Sequence, residues 1–302
     1  MNYKYLGRTE LKVSPIGLGI GGILGMKIFD EKKALEVIQT AIDNGINFFD
    51  TGNSYSYGNA EIRLGKVISN NNRENLVIAT KGGTVITKNN KLIKNFSPKS
   101  LRKQLEESLI KLKIDVIDLY QLHDPGYDHL TDEVYKTLEN FKKEGKIRYT
   151  GISTGGKTLE KSINDGFFDT VMVSYNLMTK TNEPFLQLAK DKGLGVLIKS
   201  PMAHTLYSND IFKIKSLSDL WYLLRVMKNF RKRLMKGFKY RFVNHIPGWT
   251  GSEIALKFVL DNPNVDVALI GTTNPKHLIE NINTARREPL PKDIYDKIQS
   301  LP

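Results

Sequence analysis

Short apolar runs alternate along this chain with longer segments whose apolar positions recur at helical spacing. The pattern predicts a strand over Val13 to Gly19, then a helix over Glu31 to Asn44. Asp30 precedes that helix as a capping residue and Gly45 follows it as a stop. A second strand ends at Asp50, a helix covers Ala60 to Ser69, and a third strand reaches Thr80. Ser97-Pro98 opens a helix to Lys113, with Ser97 as cap and Pro98 in the first turn. Strand four ends at Leu122, and Thr131 to Glu144 is a helix stopped by Gly145. Strands at Arg148 to Ser153, Asp169 to Val173 and Gly195 to Ile198 follow. Helices at Leu159 to Asn164 and Glu183 to Lys192 lie between them. After a break at Pro201 to Gly248 come a helix (Gly251 to Leu260), a strand (Val265 to Ile270) and a helix (Pro275 to Thr284).

Eight such strand–helix units predict a (β/α)8 TIM barrel. An open doubly wound sheet is the runner-up. It wants a GxGxxG turn after the first strand and an acidic residue beyond it. The turn here, Gly19-Ile20-Gly21-Gly22-Ile23-Leu24-Gly25, supplies neither. No low-complexity linker divides the chain, so one domain is expected over residues 1–302.

Three of the predicted strands end on ionisable residues followed by turn residues: Asp50 before Thr51-Gly52-Asn53, Lys81 before Gly82-Gly83, and His123 before Asp124-Pro125-Gly126. Parallel strands would deliver all three to one rim, where βα enzymes carry their chemistry. Tyr55 lies just beyond the first. A phenol can give a proton to an oxygen as negative charge develops there, and a neighbouring ammonium favours that charge. Asp50 would hold Lys81 charged, and His123 could hydrogen-bond the same oxygen. That chemistry suits reduction of a carbonyl by hydride, and a cofactor must supply the hydride. Taken singly, each residue has a plainer reading as turn or surface chemistry; their recurrence on consecutive strand ends favours the catalytic one.

At these positions the chain resembles the aldo-keto reductase family. Tyr5-Leu6-Gly7-Arg8-Thr9-Glu10-Leu11-Lys12-Val13-Ser14, then Ile16-Gly17-Leu18-Gly19, resembles its N-terminal hairpin and first strand. Phe49-Asp50-Thr51-Gly52-Asn53-Ser54-Tyr55-Ser56 with Glu61 and Leu64-Gly65 resembles its aspartate–tyrosine motif. Gly145-Lys146-Ile147-Arg148-Tyr149-Thr150-Gly151-Ile152-Ser153 resembles its strand-five signature. The resemblance implies a barrel that binds NADPH, or alternatively NADH, without a metal. It implies Tyr55 as general acid, Lys81 and Asp50 tuning it, and His123 orienting the carbonyl.

The resemblance also implies cofactor contacts at Gly21, Ser153, Thr154, Met172, Ser200, Pro201, Met202, Thr272, Thr273, His277 and Asn281. Several depart from the family pattern. Thr154 replaces an asparagine, Met172 a glutamine and His277 an arginine, and Lys199 stands where an aromatic ring is common.

Charge and composition add three things. With 45 Lys and Arg against 32 Asp and Glu, the net charge is +13, which favours anionic partners or is a solvated basic surface. The segment from about 205 to 248 carries ten Lys and Arg against Asp210 and Asp219, interleaved with aromatics. It is expected to form a basic insertion after strand seven, with a helix near Ser218 to Met235, acting as a lid for an anionic or sugar substrate. There is no cysteine and no long apolar run, so disulfides and thiolate metal sites are excluded, and a cytoplasmic chain without membrane or nucleic-acid partners is expected. The oligomeric state is not legible. The functional alternative is a cofactor-binding, redox-sensing regulatory subunit with little turnover, which would have no need of all four catalytic residues.

Overall fold

The structure, a computed structural model, describes residues 1–207 and 235–301. The predicted lid helix, with Arg231, Lys232 and Arg233, lies outside the described residues. The chain opens with a hairpin of β1 (Lys4–Tyr5) and β2 (Lys12–Val13). The strand expected over Val13 to Gly19 divides here. Ser14-Pro15 separates the hairpin from β3 (Ile16–Gly19), because a proline has no N–H for the ladder.

Eight parallel strands then close a barrel. They are β3, β4 (Phe48–Asp50), β5 (Val77–Gly82), β8 (Ile117–His123), β9 (Ile147–Ser153), β10 (Thr170–Ser174), β11 (Gly195–Lys199) and β12 (Val267–Ile270). The last pairs back onto the first through Ala268 and Ile16. The intervening numbers belong to a small antiparallel hairpin, β6 (Thr84–Ile86) and β7 (Leu92–Lys94), which rises after β5.

Around the barrel run α1 (Glu31–Asp43), α2 (Asn59–Ile68), α3 (Pro98–Leu112), α4 (Asp132–Lys143), α5 (Gly156–Asp165), α6 (Glu183–Asp191), α7 (Gly251–Leu260) and α8 (Pro275–Arg286). A further helix, α9 (Lys292–Ser300), follows. The caps are mostly those the residue types require. Asp30 accepts from the Lys33 amide, and Thr250 and Glu253 cap each other reciprocally. Ser97 differs: its hydroxyl donates to Asn95 Oδ1 instead of capping, and Pro98 still opens the helix. The α5 helix begins at Gly156, ahead of the expected Leu159, and ends at Gly166 in the left-handed conformation.

Side-chain alternation along each strand decides what faces inward. Phe48, Val77, Ala79, Leu119, Met172, Leu197, Val267 and Leu269 fill the barrel interior together with Leu6, Leu11 and Val13 of the hairpin, which closes its lower end. The alternate residues Ile78, Tyr120, Ile152, Val171, Ile198 and Ala268 face the helices. The close approach of hairpin to barrel needs Gly7, in the left-handed conformation at φ 54°. A Cβ there would stand 2.2 Å from the Gly195 nitrogen. Continued upward, the inward alternation assigns the mouth to Asp50, Lys81, Gln121, His123, Ser153 and Lys199.

Candidate active site

Lys81 is 1% exposed and must be paired to be charged there. Its ammonium lies 2.6 and 2.5 Å from the two Asp50 carboxylate oxygens and 2.8 Å from the Thr51 carbonyl. Asp50 also accepts from Gln121 Nε2 at 3.0 Å. Burial pulls the lysine downward in pKa, but Asp50 and then Tyr55 outweigh it, and the net shift is upward. Lys81 therefore stays an ammonium.

Tyr55 sits half-buried above this pair, its ring centroid 4.9 Å from Lys81 Nζ. The backbone that carries it is tightly wound. Tyr55 N donates to the Gly52 carbonyl, and Ser56, Tyr57 and Gly58 then take three consecutive left-handed conformations. Such strain is held only where neighbours over-determine it. Here Asn53 Nδ2 donates to the Thr84 carbonyl and to Gln104 Oε1, which also accepts from the Gly83 amide. The ring itself lies between Gly21 and Gly52; a Cβ on either would come within 3.2 Å of it. Tyr57, by contrast, is 63% exposed.

His123 meets the Tyr55 ring edge-on, centroids 5.4 Å apart. Its Nδ1 is 3.2 Å from Thr84 Oγ1. Burial, then the charges of Lys81, Lys94 and Lys199, lowers its pKa to about 3, so the imidazole is neutral across the physiological range. The structure thus brings Asp50, Tyr55, Lys81 and His123 together at one end of the barrel.

The proposed cofactor positions fall into groups. Ser153 pairs in register with His123, is buried, and accepts a hydrogen bond from Lys199 Nζ at 3.2 Å. Thr154 is buried with its amide on the Met172 carbonyl. Met172 itself lies among the apolar residues of the barrel interior, below the rim. Ser200, in the left-handed conformation at φ 57°, Pro201 and Met202 follow β11, and Asn176 Nδ2 holds the Ser200 carbonyl. Thr272 and Thr273 precede α8, whose first turn is capped by Asn274; His277 is exposed and Asn281 is buried on that helix. Gly22, Gly155 and Gly156 line this end of the fold with open space where a Cβ would be, and Gly271 meets nothing nearer than 3.8 Å. Gly22 and Gly271 follow the paired strands β3 and β12, and this open backbone next to the α8 N-terminus has room for the phosphates of a dinucleotide.

Three contributors had no strand-end signature: Gln121, Thr84 and Lys94. Gln121 could have been found by alternation, since it stands two residues before His123 on one strand.

A closed parallel barrel with a buried Lys–Asp pair, a tyrosine and a neutral histidine at its C-terminal mouth is a TIM barrel with an acid–base cluster at the end where such barrels carry their chemistry. The chain belongs to the aldo/keto reductase family, whose model matches residues 15–302. It is 32% identical to the uncharacterized oxidoreductase YrpG of Bacillus subtilis (strain 168), over 93% of this chain and 90% of that protein. It is 27% identical to an NADH-specific methylglyoxal reductase of Escherichia coli (strain K12), over 92% and 91%. Among solved structures, aldo-keto reductase AKR11C1 from Bacillus halodurans (holo form) superposes with a TM-score of 0.84 at 26% identity, covering 100% of this chain and 96% of that one. The chain is accordingly an oxidoreductase that uses a nicotinamide cofactor.

Proposed function

We propose that this protein reduces a small carbonyl compound, with Tyr55 as the proton donor to the carbonyl oxygen. The observation that carries this reading is the stacking of Tyr55 on a fully paired Lys81 beside a neutral His123. When bound, NADPH or NADH supplies the hydride. Lys81, held charged by Asp50, stabilises negative charge at the Tyr55 oxygen as its proton leaves. His123 cannot serve as the acid at neutral pH, since it carries no extra proton to give, and it acts by donating a hydrogen bond that orients the carbonyl.

Gly21, Ser153, Thr154, Met172, Ser200, Pro201, Met202, Thr272, Thr273, His277 and Asn281 are the proposed cofactor-binding set. We favour NADPH over NADH because the α8 N-terminus and the +13 net charge both suit an added phosphate. The same balance favours a carbonyl substrate that itself carries an anionic group. Lys199 is the supporting feature: among the described residues its ammonium has a hydroxyl partner and no ion pair, and it faces the same mouth as His123.

The test is oxidation of NADPH and of NADH against matched neutral and anionic aldehydes and ketones, with Tyr55→Phe and Lys199→Met beside the wild type. Tyr55→Phe should keep cofactor affinity and lose kcat by roughly two or more orders of magnitude. Lys199→Met should raise KM for the anionic members and spare the neutral ones. A Tyr55→Phe variant with undiminished turnover would remove the tyrosine from this role.

A further inference from the structure

The small hairpin that rises after β5 makes direct contact with the catalytic histidine. Thr84 of β6 and Lys94 of β7 are cross-strand partners. Lys94 Nζ donates to Thr84 Oγ1 at 3.2 Å and to the His123 carbonyl at 2.7 Å, and lies 3.7 Å from Asp124 Oδ2. Thr84 Oγ1 is in turn 3.2 Å from His123 Nδ1, and Thr84 is only 4% exposed.

We propose that Lys94 and Thr84 form a positioning relay that sets the tautomer of His123, placing its ring proton on Nε2 and so presenting an N–H donor to the substrate. The argument is one of donors and acceptors. An ammonium only donates, so the Thr84 oxygen must be the acceptor from Lys94. That leaves the Thr84 hydroxyl proton, and the available acceptor for it among the described residues is His123 Nδ1. In the opposite tautomer the Thr84 oxygen would accept from both Lys94 and an Nδ1–H, which its two lone pairs allow, and the cost would fall on the hydroxyl proton, left without an acceptor among the described residues. Thr84 is 4% exposed, so water has little access to this hydroxyl as an alternative acceptor. With Nδ1 occupied as an acceptor, Nε2 must bear the proton, and no described residue takes it. The charged and titratable groups around the ring come from several elements: Lys81 on β5, Lys94 on β7, Lys199 on β11, Asp50 on β4, Asp124 after β8, and Tyr55. The three lysines oppose a second ring proton, which agrees with the neutral state the relay needs.

The kinetic part of this proposal rests on the carbonyl-reductase reading; the tautomer does not. The experiment is long-range 1H–15N correlation NMR on histidine-labelled protein without cofactor, with His123 assigned by loss of its signals in His123→Asn. The wild type should show the Nε2–H tautomer, held from neutral pH down to about pH 5. Thr84→Val should mix or invert the tautomers and lower kcat on the order of tenfold, as for a slightly misplaced donor, with cofactor affinity unchanged. Thr84→Ser keeps the hydroxyl and should restore both. Lys94→Met should raise the titration midpoint of His123. An Nδ1–H tautomer in the wild type, or a Thr84→Val variant whose tautomer matches the wild type, overturns the relay. Turnover that is absent while the Nε2–H tautomer is present overturns the carbonyl reading alone.

Discussion

At the scale of single residues, the Asp50–Lys81 pair separates a structural role from a chemical one. Both side chains are almost wholly buried, at 5% and 1% exposure, so removing either partner strands a charge. Breaking such a pair typically costs about 3–5 kcal/mol, whereas replacing both partners by neutral groups is often tolerated. Lys81→Met should therefore destabilise the protein by about that amount in urea unfolding, with Gln121 left as the described side-chain donor to Asp50. The double variant Asp50→Asn with Lys81→Met should recover most of the stability. It should not recover turnover, because Tyr55 then loses the ammonium that lies 4.9 Å from its ring. A double variant that regains both would show the pair to be scaffold and nothing more.

At the scale of elements, the loop that carries Tyr55 is placed by α2, and α2 is placed by its contact with α3. Gly65 is the point of closest approach: a Cβ there would be 2.3 Å from the Lys111 carbonyl oxygen, a backbone atom that cannot swing aside. Glu61, one turn earlier, is fully buried, accepts from Thr80 Oγ1 on β5 at 2.7 Å and lies 3.8 Å from Lys111 Nζ. Burial raises its pKa, and the hydroxyls and Lys111 oppose that only in part. Gly65→Ala should push α2 and α3 apart and cost about 1–3 kcal/mol, the usual range for overpacking. Thermal unfolding checks it, and a melting temperature equal to the wild type's would show that the helices separate freely.

Legibility also divides by element. The barrel strands could be read because they are buried on both faces and so form apolar runs between turn residues. The β6–β7 hairpin could not: Leu92 and Ile93 are 61% and 47% exposed, so no buried face imposes a pattern on it. Helix α9 is not legible in the sequence because the Pro289-Leu290-Pro291 stretch resembles the end of ordered structure. In the site, Asp50, Lys81 and His123 were visible as polar ends of apolar runs. Gln121 sits inside such a run, and Thr84 and Lys94 act from outside the barrel. Their roles follow from contacts across the fold that no local pattern records.

At the scale of the whole molecule, the mouth links the proposed site to acid stability. His123 has its pKa lowered to about 3 by burial and by the surrounding lysines, whereas an unfolded histidine titrates near 6.5. Below pH 6.5 the unfolded chain binds a proton that the native site refuses. The stability His123 contributes is therefore complete above about pH 6.5 and is lost progressively as the pH falls from there toward 3. Glu61 slopes the other way: with a raised native pKa, its contribution is present below the ordinary carboxylate range and declines as the pH rises through its native value. The two are told apart by substitution. His123→Asn should flatten the stability profile between pH 6.5 and 4.5 relative to the wild type, measured as urea midpoints across that window. Glu61→Gln should leave that acid limb in place and gain on the wild type toward higher pH. If wild type and His123→Asn run parallel from pH 7.5 to 4.5, the neutral imidazole is not enforced by the fold, and the cations at the mouth are better screened than their burial implies.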